Sequence, residues 1–121
     1  MAIDLTNLKI IVTGATGGIG GAIATALAEE GCSLLITGRN IDKLNVLYNS
    51  LDGAGHYKIA ADLTTSVGRQ SLVEAAEKFN ASVLINAMGI NQLALLEDMS
   101  ETEINAMMAS NVVAPIQLTR Q

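Results

Sequence analysis

Aromatic residues are scarce in this chain: they make up 2% of its 121 residues, and tryptophan is absent. Half of the residues are nevertheless hydrophobic, so a core must be built from isoleucine, leucine, valine, alanine and methionine. Small aliphatic side chains of this kind suit a parallel β-sheet covered by helices. The length is enough for one domain with a core of its own, and we expect a single unit over residues 1–121.

Positive charge is also scarce, because 7 lysines and arginines face 12 acidic residues, for a net charge of −5. A general attraction to the phosphates of nucleic acid is therefore not expected. Any contact with a phosphate group must come from local features of the fold.

The chain has one cysteine, one histidine and one proline. Cys32 cannot form an internal disulfide, and we expect it to be a small buried hydrophobe. His56 stands apart from any cluster of metal ligands, so we predict no metal site and a surface position where a strand begins. The first residues, MAIDLTNLKI, do not form a secretory signal, and no apolar run reaches the length of a membrane span. We expect a cytoplasmic protein.

The most informative stretch is LKIIVTGATGGIGG, over residues 8–21. Apolar β-formers at 10–12 predict a strand buried on both faces, a glycine turn follows, and the apolar spacing of Ile19, Ile23 and Leu27 predicts a helix. This is the context in which a glycine-rich loop binds a dinucleotide, with the pyrophosphate at the positive end of the helix dipole. An ordinary turn is the alternative.

The rest of the chain continues the alternation of strand and helix. Strands are predicted at 33–37, 56–61 and 82–86, separated by helices, and Ser100 with Glu103 has the form of a capping box for a fourth helix. Alternation at this spacing predicts an α/β fold with a doubly wound parallel sheet, Rossmann-like and three-layered, in the order 3-2-1-4. Ligands bind such sheets at the carboxyl ends of strands one and four.

The glycines fall as Thr13-Gly14-x-x-x-Gly18-x-Gly20. This TGxxxGxG pattern resembles that of the short-chain dehydrogenase/reductase family, and the resemblance extends over the whole chain. It implies an oxidoreductase that transfers hydride between a nicotinamide and a carbonyl or secondary alcohol. The cofactor-binding residues it implies are Thr13, Gly14, Thr16, Gly18, Ile19, Gly20, Arg39, Asp62, Leu63, Asn86 and Gly89.

The second strand ends at Gly38-Arg39, where NAD-binding sites carry an acidic residue for the ribose hydroxyl. An arginine there accommodates a 2′-phosphate instead, so the resemblance implies NADP over NAD. A solvated loop charge is the alternative for Arg39. The absent acid also argues against a methyltransferase of similar topology.

Three further positions take roles from the resemblance. Asp62-Leu63 would hold the adenine, although Asp62 could also cap a turn. Asn86 and Gly89 match the family's Asn-Asn-Ala-Gly segment, whereas Ala87 and Met88 depart from it.

Pro115 lacks an amide hydrogen and therefore cannot bond the carbonyl of Asn111, so a bend is predicted in a helix otherwise continuous from Ser100. The resemblance makes Asn111 part of a catalytic proton relay. An ordinary proline kink with a solvated Asn111 is the alternative.

The family's catalytic serine and its Tyr-x-x-x-Lys pair are missing. Tyr48 and Tyr57 are followed four residues later by Asp52 and Ala61. Because tyrosine is the family's acid/base, we expect this chain to be inactive alone, as the N-terminal half of a reductase truncated after the fourth helix. A non-catalytic dinucleotide sensor or interaction module is the alternative.

The predicted fourth strand would have an unpaired apolar edge, which favours pairing with another chain. The resemblance adds a subunit interface on the fourth helix. We therefore expect a homo-oligomer formed through one or both surfaces, with a small-molecule substrate in the parent enzyme and no nucleic acid or membrane as partner.

Overall fold

A computed structural model describes residues 4–90 and 93–121. The strands are β1 (Lys9–Thr13), β2 (Ser33–Gly38), β3 (Tyr57–Ala60) and β4 (Val83–Asn86). The helices are α1 (Gly18–Glu29), α2 (Ile41–Ser50), α3 (Ser66–Phe79), α4 (Glu101–Met108) and α5 (Ala114–Arg120). A 3₁₀ turn lies at Leu96–Asp98, and a π-helical segment at Ala109–Val113 joins α4 to α5.

The four strands form one parallel sheet in the order β3-β2-β1-β4. The predicted α/β class and the order 3-2-1-4 are thus confirmed. The chain reverses its winding between β1 and β4, whose register pairs Thr13 with Asn86 at the carboxyl ends. This reversal opens a crevice at that edge of the sheet.

Alternate residues of β1 and β2 face opposite helical layers, as expected for strands buried on both sides. Ile10, Val12, Leu34 and Ile36 pack with α1 and α2 in one core cluster. Ile11 and Leu35 pack with α3 and α5 in the other. The core is therefore two aliphatic layers separated by the sheet, and Cys32 is buried in the first of them as predicted.

The prediction that His56 lies at the surface is wrong. Its side chain is only 8% exposed, its Nδ1 accepts a hydrogen bond from the Leu34 amide at 3.1 Å, and its Nε2 lies 2.6 Å from the Asp52 carbonyl oxygen. The imidazole thus satisfies a backbone donor at the start of β2 and a carbonyl in the preceding loop. β3 accordingly begins at Tyr57, one residue later than predicted.

The fourth helix is not simply bent. It begins with the predicted capping box, in which Ser100 accepts from the Glu103 amide and Glu103 accepts from the Ser100 amide. It then widens over residues 109–113, where the Ala114 amide bonds to the Ala109 carbonyl five residues earlier. This wider turn directly precedes Pro115, which has no amide hydrogen to donate to a carbonyl of the preceding turn.

No helix in the described part of the chain is long and apolar enough to cross a membrane.

Candidate functional site

A cavity of about 280 Å³ lies at the carboxyl edge of the sheet, in the crevice between β1 and β4. The turn after β1, the end of β2, the loop after β3, the loop after β4 and the π segment all contribute to its walls. The lining residues are Gly14, Thr16, Gly17, Thr37, Gly38, Arg39, Lys43, Ala61, Asp62, Leu63, Thr64, Ala87, Met88, Gly89, Ile90 and Ser110.

The turn after β1 is shaped by two glycines. Gly14 has a φ of +62°, and a Cβ there would lie 2.5 Å from the Ala87 carbonyl oxygen and the Met88 Cα. Gly20 is buried in α1, and a Cβ there would collide with the Gly14 carbonyl. The glycines therefore allow α1 and the loop after β4 to approach the turn closely.

The amino end of α1 faces this turn without a side-chain cap, because its N-cap residue is Gly17. The first amides of a helix have no intrahelical acceptor and carry the positive end of the helix dipole. Around Gly18 nothing lies within 4 Å of an added Cβ. The end of α1 can therefore receive an anion.

Two cations line the other end of the cavity. Arg39 follows β2 directly and Lys43 lies in the first turns of α2, whose N-cap Asn40 accepts from the Lys43 amide at 3.1 Å. Gly38 is in close contact with Thr16, since a Cβ on Gly38 would lie 2.8 Å from the Thr16 methyl. No acidic side chain occupies the end of β2.

Asp62 sits after β3 in a tight turn. Its Oδ1 accepts hydrogen bonds from the Thr64 hydroxyl at 2.6 Å and the Thr64 amide at 3.0 Å. These bonds, helped by the nearby Arg39 charge, lower the pKa of the Asp62 carboxyl below its ordinary value of 3.8. Asp62 thus forms the predicted turn cap and lines the cavity as well.

Thr64 lowers the pKa of the Asp62 carboxyl more than Arg39 does. We expect Thr64→Val to raise the pKa of Asp62, because it removes the hydroxyl that makes the largest contribution, and Arg39→Gln to raise it less. Because the pKa of Asp62 is lower in the folded state than in the unfolded chain, the ionised carboxylate stabilises the fold at pH values above the unfolded-state pKa. This stabilisation is lost as the pH falls through the folded-state pKa. The check is a carboxyl titration by NMR; a larger rise in Arg39→Gln would contradict the expectation.

The Asn111 side chain is held by two hydrogen bonds between its amide group and the backbone of Ile90. Its Oδ1 accepts from the Ile90 amide and its Nδ2 donates to the Ile90 carbonyl, both at 2.7 Å. At the other end of the same loop, Asn86 donates to the Thr119 hydroxyl at 3.3 Å. Residues 86–90 are therefore bonded to the bulged helix at both ends.

The predicted site residues are divided by the structure. Gly14, Thr16, Arg39, Asp62, Leu63 and Gly89 line the cavity, whereas Thr13, Gly18, Ile19, Gly20, Asn86 and Asn111 lie outside its lining. Thr13 is buried and connects strands: its hydroxyl lies 3.4 Å from the Ile85 carbonyl and accepts from the Ala87 amide at 3.2 Å.

Several lining side chains were not anticipated from the sequence, among them Thr37, Lys43, Thr64 and Ser110. Thr37 is fully buried, and its hydroxyl has no hydrogen-bond partner among the described residues. Its position near the carboxyl end of β2 could have predicted that it lines the cavity, because ligands bind such sheets at this end. Ser110 is 7% exposed and lies in the π segment, which forms part of the cavity wall. Over the described ranges, no group of three metal-ligating side chains is assembled.

The sequence of the chain was compared with known families and proteins. The model of the short chain dehydrogenase family matches residues 8–121. An uncharacterized oxidoreductase, YvaG, of Bacillus subtilis (strain 168) is 34% identical over 125 residues, covering 100% of this chain and 47% of the relative. The 3-oxoacyl-[acyl-carrier-protein] reductase FabG of Rickettsia bellii (strain RML369-C) is 34% identical over 119 residues, covering 98% and 48%.

Comparison with solved structures identifies the same family. A solved short chain dehydrogenase/reductase family protein superposes with a TM-score of 0.88 at 28% identity, over 98% of this chain and 49% of that one. The chain thus spans about half the length of the relatives it matches. With the glycine turn, the strand order and a family model that covers nearly all of its residues, this chain belongs to the short-chain dehydrogenase/reductase family.

Proposed function

We propose that this chain is the NADP(H)-binding part of an oxidoreductase that transfers hydride between nicotinamide and a carbonyl or secondary alcohol. One observation carries the proposal: a single crevice at the carboxyl edge joins an uncapped helix end to a pair of cations. A dinucleotide with an extra phosphate presents anionic groups at two separated points, and the crevice offers a positive feature for each.

The pyrophosphate is assigned to the amino end of α1. Gly14 permits the turn, Gly18 leaves open space above the first amides, and Gly20 packs the helix against the turn. Backbone amides and the helix dipole supply the attraction, so a chain with a net charge of −5 needs no basic field there.

The 2′-phosphate is assigned to Arg39, with Lys43 beside it in the cavity wall. The guanidinium can donate two parallel hydrogen bonds to a phosphate, which makes it the stronger of the two partners. Gly38 offers no carboxylate to the 2′-hydroxyl that NAD would present. These features favour NADP over NAD.

Asp62 and Leu63 are assigned to the adenine. Asp62 is ionised near neutral pH, and its carboxylate can accept a hydrogen bond from an exocyclic amino group. The Leu63 side chain is 4% exposed and packs in the core, so the group assigned to the ring is its backbone N–H. The hydrogen bonds that Thr64 donates to Asp62 Oδ1 hold the carboxylate in place for this contact.

Asn86, Gly89 and Asn111 are assigned to the nicotinamide side. The bonds from Asn111 to Ile90 fix the loop that would pass the cofactor's ribose, and the adjoining π segment changes which helix carbonyls are paired. When bound, the nicotinamide supplies or accepts the hydride. Asn111 would belong to a proton relay only in a complete enzyme.

By itself the chain is expected to bind NADP⁺ without catalysing reduction. It has no Tyr-x-x-x-Lys pair, so no residue can act as the acid/base next to a substrate. The test is calorimetric titration with NADP⁺, followed by a search for NADPH consumption with a panel of ketones. Binding without turnover supports the proposal; turnover would contradict the assigned inactivity, and absent binding would contradict the cofactor assignment.

The missing acid/base also favours the second candidate function, a non-catalytic dinucleotide-binding sensor or interaction module. The two candidates predict the same binding result for this chain. They differ in the gene, where a Tyr-x-x-x-Lys pair encoded after Gln121 would decide for the enzyme.

We also propose self-association. An apolar stripe runs along α4, the π segment and α5, with Ile104, Met108, Val112 and Ile116 spaced four residues apart and each at least 39% exposed. The edge strand β4 adds Val83, which is 36% exposed. Contiguous exposed apolar side chains of this kind favour a protein interface.

A charge placed in the stripe should dissociate the oligomer. We expect Val112→Lys to give a monomeric mass by light scattering at a concentration at which the unmodified chain associates, because an unpaired ammonium is costly to bury. Val46→Lys is the matched control, since Val46 is also exposed but lies on α2. A monomeric mass for the unmodified chain at high concentration would count against the interface.

A further inference from the structure

A second cavity, of about 510 Å³, lies at the opposite edge of the sheet, where the strands begin. It is lined by the first residues of β1, β2 and β3 (Lys9, Ser33 and Tyr57) and by the end of α3 at Lys78 and Phe79. β2 runs from this cavity at Ser33 to the nucleotide cavity at Gly38. The nearest lining residues of the two cavities on this strand are Leu35 and Thr37, two residues or about 7 Å apart.

The composition of this cavity is unlike that of the rest of the chain. Lys9 and Lys78 line it together with two of the three aromatic residues. Lys58 is also a lining residue, but its ammonium lies over the Tyr48 ring, which packs in the core layer on the other face of the sheet. In a chain with an excess of acidic residues and 2% aromatics, both scarce types converge on one place. Such convergence of cations and aromatic surface is what a small-molecule site requires, and the volume lies in the usual range of about 300–1,000 Å³.

The aromatic pair offers an apolar surface. The rings of Tyr57 and Phe79 meet edge to face with centroids 5.5 Å apart, Phe79 being 7% exposed and Tyr57 60% exposed. A flat apolar group can stack on the exposed face of Tyr57 and remove it from water.

The lysines set the sign of the ligand's charge. Lys58 is already placed with its ammonium 4.4 Å from the centroid of the Tyr48 ring. The Lys9 ammonium lies 5.6 Å from the centroid of Phe79, at the weak limit of a cation–π contact. Neither Lys9 nor Lys78 has a carboxylate within ion-pair distance in the ranges the structure describes.

We propose that this second cavity binds a small organic anion with a flat apolar body, of the aromatic carboxylate class. Its carboxylate would pair with Lys9 and Lys78, and its ring would stack on Tyr57. The site would be independent of the nucleotide, since the two cavities share no lining residue. Failure of the NADP proposal would therefore leave this one untouched.

The probe is 2-naphthoate, titrated into the full 121-residue chain and compared with 2-naphthalenemethanol and 2-naphthylmethylammonium. We expect the carboxylate to bind about tenfold more tightly than the alcohol, from two partly solvated charge pairs. The ammonium should bind more weakly still. Equal affinities for the three probes would overturn the proposal, because the cavity would then be merely apolar.

Two variants and one control locate the binding. Lys9→Gln and Lys78→Gln should each weaken 2-naphthoate about three- to fivefold and leave the alcohol unchanged. Lys43→Gln removes the same charge outside this cavity and should not change 2-naphthoate binding. Amide NMR shifts should cluster at Tyr57 and Phe79; shifts at Gly14 and Gly38, with a loss in Lys43→Gln, would place the anion in the other cavity and contradict the assignment.

Discussion

Replacing Arg39 by glutamine is expected to weaken NADP⁺ binding about 10- to 100-fold and to leave NAD⁺ binding nearly unchanged. A hydrogen bond to a charged group contributes about 1.5–3 kcal/mol, and the lost guanidinium makes such bonds only to the 2′-phosphate. Lys43 remains in the cavity wall and limits the loss. Calorimetric titration of Arg39→Gln and of the unmodified chain with NADP⁺ and NAD⁺ measures the change.

The control for this prediction is Arg120→Gln, which removes an exposed guanidinium at the end of α5. It should change neither affinity. A sharper version uses 2′,5′-ADP and 5′-AMP, which differ only in the phosphate assigned to Arg39. Equal affinity of the unmodified chain for NADP⁺ and NAD⁺, or an equal loss for both in Arg39→Gln, would contradict the assignment.

Gly20→Ala is expected to destabilise the fold by about 3 kcal/mol. The new methyl group would collide with the Gly14 carbonyl oxygen and approach the Gly14 carbonyl carbon to 2.8 Å. Both atoms belong to the backbone of the turn, so the strain cannot be relieved by a side-chain rotation. Relief requires α1 to move away from β1. Thermal unfolding should show a melting temperature lower by about 10 °C.

Gly18→Ala is the matched control, because it adds the same methyl group one half-turn away. Nothing lies within 4 Å of that Cβ, and alanine favours the helix, so stability should be unchanged or higher by about 0.5 kcal/mol. Dinucleotide affinity should fall, since the methyl group would occupy the space assigned to the pyrophosphate. A Gly20→Ala variant as stable as Gly18→Ala would show that the helix does not depend on this close approach.

The order of the sheet was predictable because its signals are local. The apolar run at 10–12, the glycine turn and the helical spacing after Ile19 each lie within a few residues, and alternation then limits the topology to a few arrangements. The capping box at Ser100 and Glu103 was predictable for the same reason. The positions of Arg39 and Asp62 followed from the ends of their strands.

The wrong placement of His56 and the features that sequence reasoning missed have a different origin, in contacts between distant residues. His56 is buried because Leu34, 22 residues earlier, needs an acceptor for its amide. Asn111 bonds to Ile90, 21 residues earlier, and this pairing accompanies a π segment that a single proline does not specify. Ser110 and Lys43 reach the crevice only through the packing of their helices.

The sequence alone specifies the alternation of strands and helices, the glycine turn after β1 and the chemistry at the strand ends. The tertiary structure adds which of these groups share a cavity, and it brings Lys9 and Lys78 together with two aromatic rings where the strands begin. The reason is physical: periodicity and turn chemistry act between near neighbours in the chain, whereas a cavity is formed by residues that only packing brings together.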